Sequence, residues 1–215
     1  MSVTTEAWGK CRTSSFLGWT PLHSAARFGH FDIVQELLVH GANANVQKGD
    51  LWTPLHLASG AGYLEIVQSL VRRGAVLDKT NVDQETPLHV ASRPRDLEIA
   101  RFFIEQGANT MSKDKDGRIP LHNALRYGHL DLVEILLDGG VDVNLRNADR
   151  EAPLHLASAN GHLDVVKLLL DSGADVGVRD WSDKTPFDLA LENGKRDVVR
   201  FLLVAKREGP LGSRC

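Results

Sequence analysis

Nine histidines in a chain of 215 residues raise the prospect of a metal centre or of general-base catalysis, and their spacing decides between these and a structural role. His23, His56, His89, His122 and His155 lie 33 residues apart, and His30, His129 and His162 fall on a second register of the same period. A metal site gathers unlike positions into one cluster, whereas a residue returning at a fixed interval does the same structural task in each copy. His40 alone stands outside both registers, and a single histidine in the last turn of a helix serves as a dipole partner. A row of carboxylates, Asp50, Asp83, Asp116 and Asp149, returns in the same way. One unit's separation, roughly 10 Å between packed helices, is too wide for a shared calcium ion, so these read as solvated turn residues. Cys11 has no activating partner nearby in sequence. Phosphate-binding glycine loops, Gly-x-Ser-x-Gly and His-Glu-x-x-His are absent. The chain is therefore expected to carry no catalytic residue, no metal and no cofactor.

The elements that position these side chains follow from the same period. Thr20-Pro21-Leu22-His23 returns at Thr53 and Thr86 and, weakened, at Ile119, Ala152 and Thr185. Thr is an N-cap and Pro suits the first helical position, where its missing N–H costs nothing. The fifth residue after each start is alanine (Ala25, Ala58, Ala91, Ala124, Ala157, Ala190), the size that fits between closely packed helices. Gly29, Gly62, Gly128, Gly161 and Gly194 end the first helix. A second helix carries apolar pairs such as Ile33-Val34 with Leu37-Leu38, forming one stripe. Gly41, Gly74, Gly107, Gly140 and Gly173 stop it, and a stretch rich in Asn, Asp and Gly leads to the next start, as in a projecting turn or hairpin. A strict period of this size means a stack of units that cannot bury their apolar faces alone.

The pattern Thr-Pro-Leu-His, Ala, Gly-His, Ile/Val-Val, Leu-Leu, Gly-Ala-Asp-x-Asn resembles the ankyrin repeat over about residues 15 to 207. The resemblance implies an all-α repeat solenoid of six stacked helix–turn–helix units with projecting β-hairpin loops. It also implies that the recurring histidines hydrogen-bond within and between units, and that hairpin tips and first helices line a concave groove for partner proteins. The expected layout is an N-terminal capping segment over 1–17, repeats over 18–207 and a flexible tail over 208–215. Residues 1–17 match no part of the repeat, yet hold Trp8, Phe16 and Leu17, suited to cover the flank of the first unit.

Departures from the pattern carry information. Pro94-Arg95 replaces the inter-helix glycine of the third unit, so its first helix should end early. Ile119 and Ala152 forgo the capping hydroxyl, at about 1 kcal/mol each. The sixth unit has Asp188 for the histidine, Lys195 and Arg196 in its turn, and Lys206 for the terminal glycine, which reads as a polar C-terminal cap.

By the resemblance, the groove is lined by residues one, three and four before each start and seven and eight after it. Those positions place Trp19, Phe28, Trp52, Arg93, Arg118, Arg126, Tyr127 and Trp181 as the partner-binding residues. Trp, Tyr and Arg bury large rigid area and offer planar hydrogen bonding, and the arginines fit a partner segment with carboxylate or phosphate character. Asn144, in Asp142-Val143-Asn144, resembles a site of asparaginyl hydroxylation in ankyrin hairpins; as an ordinary turn residue it would bond its own backbone.

A net charge of −3 gives no general attraction to nucleic acid or anionic lipid. No apolar run reaches the roughly 18 residues that cross a bilayer, and the first ten residues lack a signal-peptide pattern. Two cysteines near opposite ends match reduced intracellular proteins. The expected protein is a monomeric interaction module of the cytoplasm or nucleus, an adaptor or scaffold rather than an enzyme. The alternative is a regulatory or targeting segment of a larger enzyme or receptor.

Overall fold

The computed structural model describes residues 18–93 and 97–208; residues 1–17, 94–96 and 209–215, including the expected capping segment and nearly all of the expected tail, lie outside the described residues. The described residues form twelve helices: α1 Pro21–Phe28, α2 Phe31–Val39, α3 Pro54–Ala61, α4 Leu64–Arg72, α5 Pro87–Ala91, α6 Leu97–Glu105, α7 Pro120–Tyr127, α8 Leu130–Asp138, α9 Pro153–Asn160, α10 Leu163–Asp171, α11 Pro186–Glu192 and α12 Arg196–Glu208. Among them no strand is found. They fall into two compact bodies, one ending at Asn109 and one beginning at Thr110.

Each body holds three helix pairs in chain order. In the first, α1 packs on α3 and α3 on α5, while α2 packs on α4 and α4 on α6. In the second, α9 lies between α7 and α11, and α10 between α8 and α12. The apolar stripe of the second helices is the core: Val34, Val67, Ala100, Val133 and Val166 are fully buried, as are the alanines Ala58, Ala124, Ala157 and Ala190 of the first helices.

The helix starts form as their residues dictate. Thr20, Thr53 and Thr86 have extended backbone, and their hydroxyls accept from the N–H of the histidine three residues on, the capping-box arrangement with histidine in place of Glu. At Ile119 and Ala152 that N–H turns to the cap residue's own carbonyl, at 2.9 Å in both. Thr185 meets Asp188, whose Oδ2 accepts from the Thr185 N–H at 2.9 Å and from its hydroxyl at 2.7 Å. The histidine of the sixth unit is thus replaced by a carboxylate doing half of its work.

Gly29 and Gly128 show why these helices end on glycine. Both are left-handed, with φ 76° and 73°, and a Cβ on either would meet a ring of the next unit, Tyr63 at 2.6 Å or His162 at 2.5 Å. Both the conformation and the close approach exclude larger residues.

Two expectations need adjustment at the C-terminus. Helix α12 runs 13 residues to Glu208, taking in the first residue of the expected tail. The last unit is not simply polar outside: Leu191, Leu203 and Val204 are exposed, whereas Ser158, the counterpart of Leu191 in the preceding unit, is buried. Helix α5 stops after five residues, as Pro94 two residues beyond its cap leads one to expect.

Candidate protein-docking faces

The recurring histidines are scaffold groups. In each of the first five units Nδ1 accepts the backbone N–H of the helix-start residue, at 3.1 to 3.3 Å. An accepting Nδ1 places the ring proton on Nε2. Nε2 then donates to the carbonyl that precedes the next helix start: His23 to Trp52, His56 to Glu85 and His155 to Lys184, each at 3.0 Å. One side chain therefore ties its own cap to the next unit's tip. Burial pushes the pKa of His56 and of His122 down to about 4 and lowers those of His23 and His155, since a buried imidazolium loses its hydration. At His23, His56 and His155 both ring nitrogens are thus committed to hydrogen bonds that a neutral ring makes. His122 differs in one respect, because among the described residues its buried Nε2 makes no hydrogen bond. His40 caps α2, its Nδ1 2.9 Å from the Glu36 carbonyl. Among the described residues no group of three or more His, Cys, Asp or Glu is placed to hold a metal.

The tips between units are hairpin-like turns. In each, the first residue exchanges backbone bonds with the fourth and fifth, as in Asn81 accepting from Gln84 N and donating to Glu85 O, both at 3.0 Å. The fourth residue is left-handed: Leu51, Gln84, Gly117, Arg150 and Asp183 have φ from 58° to 70°, the geometry of a type I turn with a bulge. Buried Asn81, Asp114, Asn147 and Asp180 hold the loop open from inside, their side-chain oxygens accepting from turn N–H groups at 2.8 to 2.9 Å. Sequence reasoning missed this register and singled out the neighbouring carboxylates, of which Asp50 and Asp116 pair with Lys48 and Arg118, while Asp50, Asp116 and Asp149 also lend backbone carbonyls. These accept from Val82, Ala148 and Trp181 of the following tips at 2.9 to 3.2 Å. The signal was available, since Asx recurs two residues before that carboxylate row in four of five tips.

Asn144 also has a structural task. Its Oδ1 accepts from Asp175 N at 2.9 Å and its Nδ2 donates to Gly173 O at 3.2 Å. Asn45 makes the same bridge to Val76 and Gly74. The N–H of Asn144 donates to Asp142 Oδ1 at 2.9 Å.

In the first body, Trp19 and Trp52 are half-buried and each leans on its own unit's histidine, with ring centroids 6.0 and 5.6 Å apart. Among the described residues no ring contact joins the two indoles; Lys48 Nζ lies 5.2 Å and the Arg27 guanidinium 6.0 Å from the Trp19 ring, within cation–π range. Phe28 is 61% exposed. Arg93 is engaged by Glu85, whose other oxygen accepts from Asn81 Nδ2 at 3.1 Å.

In the second body, Trp181 is 73% and Tyr127 49% exposed, the latter stacked on His129 at 6.0 Å. Arg126 is exposed, and Arg118 pairs with Asp116 at 2.8 Å. These side chains hold nothing together in the core, and their exposed rings and guanidiniums can bury area against a partner.

The comparisons with known proteins agree with the architecture. The family model described as ankyrin repeats (3 copies) matches residues 6–81, 61–147 and 136–210. The chain belongs to the ankyrin repeat family. Its fold is the all-α repeat solenoid of that family, and ankyrin repeats are generally protein–protein interaction modules without catalysis of their own. Over 37 residues, 17% of this ankyrin chain, it is 60% identical to human oxysterol-binding protein-related protein 1. Over 46 residues, 21% of the chain, it is 48% identical to the mouse protein of that name. The chain spans 4% and 5% of the lengths of those two relatives. No described helix is long and apolar enough to cross a membrane.

Proposed function

We propose that this ankyrin array is an adaptor that binds a partner protein through the side chains projecting from its tips and first helices, and that it catalyses nothing. The observation that carries this reading is the exposure of Phe28, Tyr127 and Trp181, large rings at positions the scaffold does not require to be apolar. Trp19, Trp52, Arg93, Arg118 and Arg126 complete the proposed contact set. Helix pairs hold these groups in place before a partner arrives, so little conformational entropy remains to be lost on association. The acting form is a monomer in the cytoplasm or nucleus that needs neither metal nor nucleic acid. Crosslinking capture from cells with wild type against Trp52→Ala, Trp181→Ala tests it. A partner lost by the double variant, with the helical circular dichroism unchanged, is the expected result. Full retention of every captured partner by a folded variant would refute the reading.

A second reading is favoured by one fact: the relatives matched are far longer than this chain. In it the repeats are a regulatory or targeting segment that docks against another domain of a larger polypeptide.

A further inference from the structure

Two positions of the repeat, the residue just before each helix start and the one seven after it, are paired by the fold. In the sixth unit Lys184 Nζ donates to Glu192 Oε2 at 2.7 Å. In the third the charges are exchanged, and Glu85 holds Arg93. In the first the pair is Trp19 with Arg27, a cation over a ring. Three units thus close this pair within the chain, each with complementary chemistry.

The fourth unit fills the same two positions with Arg118 and Arg126. Its local frame is that of the sixth unit: Asp114 N donates to Arg118 O at 2.8 Å as Asp180 N donates to Lys184 O at 3.0 Å, and α7 and α11 both begin at the proline that follows the cap. Two like charges cannot close on one another. Arg118 turns back to Asp116, and the exposed guanidinium of Arg126 makes no ion pair or hydrogen bond among the described residues. Asp116 is itself half exposed. Beside it stand the exposed ring of Tyr127 and its stacking partner His129.

We infer that Arg118 and Arg126 form an acid-recognition subsite, which takes an Asp or Glu side chain from an acidic segment of the partner where other units supply an internal carboxylate. The choice of carboxylate follows from the chain itself, since Glu192 and Glu85 show that this register closes on such a group. Planar guanidiniums suit it by two-pronged hydrogen bonding. The inference rests on the docking reading and gives it a chemical preference: an acidic residue next to an apolar one that covers Tyr127.

The test uses the whole chain and three labelled peptides of one length: a Glu- and Leu-containing peptide, its Gln counterpart, and one with phosphoserine for Glu. Arg126→Glu rebuilds with Arg118 the kind of pair seen at Lys184 and Glu192, so it should keep the fold while rejecting the acid. Expected are binding of the Glu peptide in preference to the Gln peptide, a loss of about tenfold or more in Arg126→Glu at unchanged helical signal, and movement of the Arg118 and Arg126 Nε–H resonances. The Arg72→Glu variant, at the exposed end of a second helix, should bind as wild type does. Equal binding of Glu and Gln peptides, equal binding by Arg126→Glu, or preference for phosphoserine overturns the proposal. If the Glu peptide fails while Trp52→Ala, Trp181→Ala still loses the captured partner, the docking reading stands and the acid subsite falls.

Discussion

Helices α3 and α9 begin with the same six residues, Pro-Leu-His-Leu-Ala-Ser, and each occupies the middle unit of its body. Their polar balance nevertheless differs. Thr53 Oγ1 lies 2.8 Å from His56 Nδ1 and accepts from His56 N at 3.3 Å; Ala152 offers neither contact. Ser59 Oγ donates to Leu55 O at 2.6 Å, whereas buried Ser158 Oγ has no partner among the described residues. In both, Nε2 of the histidine reaches the next tip at 3.0 Å. An identical helix sequence is therefore held by more side-chain bonds in one body than in the other: the preceding threonine supplies two of them, and the serine bond differs although both of its residues are shared. At Ala152 the histidine tie survives loss of the hydroxyl, since Nδ1 accepts from the backbone N–H, whereas at Ile119, also without a hydroxyl, Nε2 of His122 is unpaired among the described residues.

The harshest way to break the comparison is to put a charge in the shared apolar face. Leu154 is fully buried, and Leu154→Asp should cost more than about 4 kcal/mol. Because repeats depend on their nearest neighbours, most helical signal of the second body should vanish, while Leu202→Asp in the last unit should only fray its end. Equal losses in circular dichroism melts would count against nearest-neighbour stability.

Acid comes next. His56 has a folded pKa of about 4 against an unfolded value near 6.5, so the unfolded chain takes up a proton first. The stability tied to its neutral ring is whole above pH 6.5 and lost as the pH falls from there through about 4, about 3 kcal/mol at the lower end. Urea melts at a series of pH values should show this slope. His56→Gln, which keeps a donor and an acceptor without titrating, should reduce it.

Restoring the cap acts in the other direction. Thr53 and Thr86 fit fully buried at this position, so Ala152→Thr should raise stability by about 1 kcal/mol in urea melts. The serines give the smallest effect, with opposite signs. Ser59→Ala gives up a hydrogen bond and should destabilise by about 1 kcal/mol or less, while Ser158→Ala removes a buried orphan hydroxyl and should stabilise by a similar amount.

Much of this was legible in the sequence, because scaffold groups repeat. Threonine caps, the alanines, the terminating glycines and the histidines could be placed from spacing alone, since each must do the same task every 33 residues. The buried Asx of the tips was overlooked because Asn and Asp alternate there, at Asn81, Asp114, Asn147 and Asp180, and Lys48 breaks the row. The bridging role of Asn144 was hidden for another reason: it depends on groups of the following unit that only packing brings near. On the docking faces, side-chain type could be read and pairing could not. Arg93 and Arg126 share a register, yet one is held by Glu85 and the other is not, a difference set by the residue eight positions earlier.

The most direct test of the comparison is native-state hydrogen exchange on α3 and α9 in one sample. Completed capping predicts that amides at the start of α9 open about tenfold more readily than their counterparts in α3, and that Ala152→Thr closes the gap. Amides of α9 that exchange as slowly as those of α3 in the wild-type chain, or a gap that Ala152→Thr leaves unchanged, would contradict it.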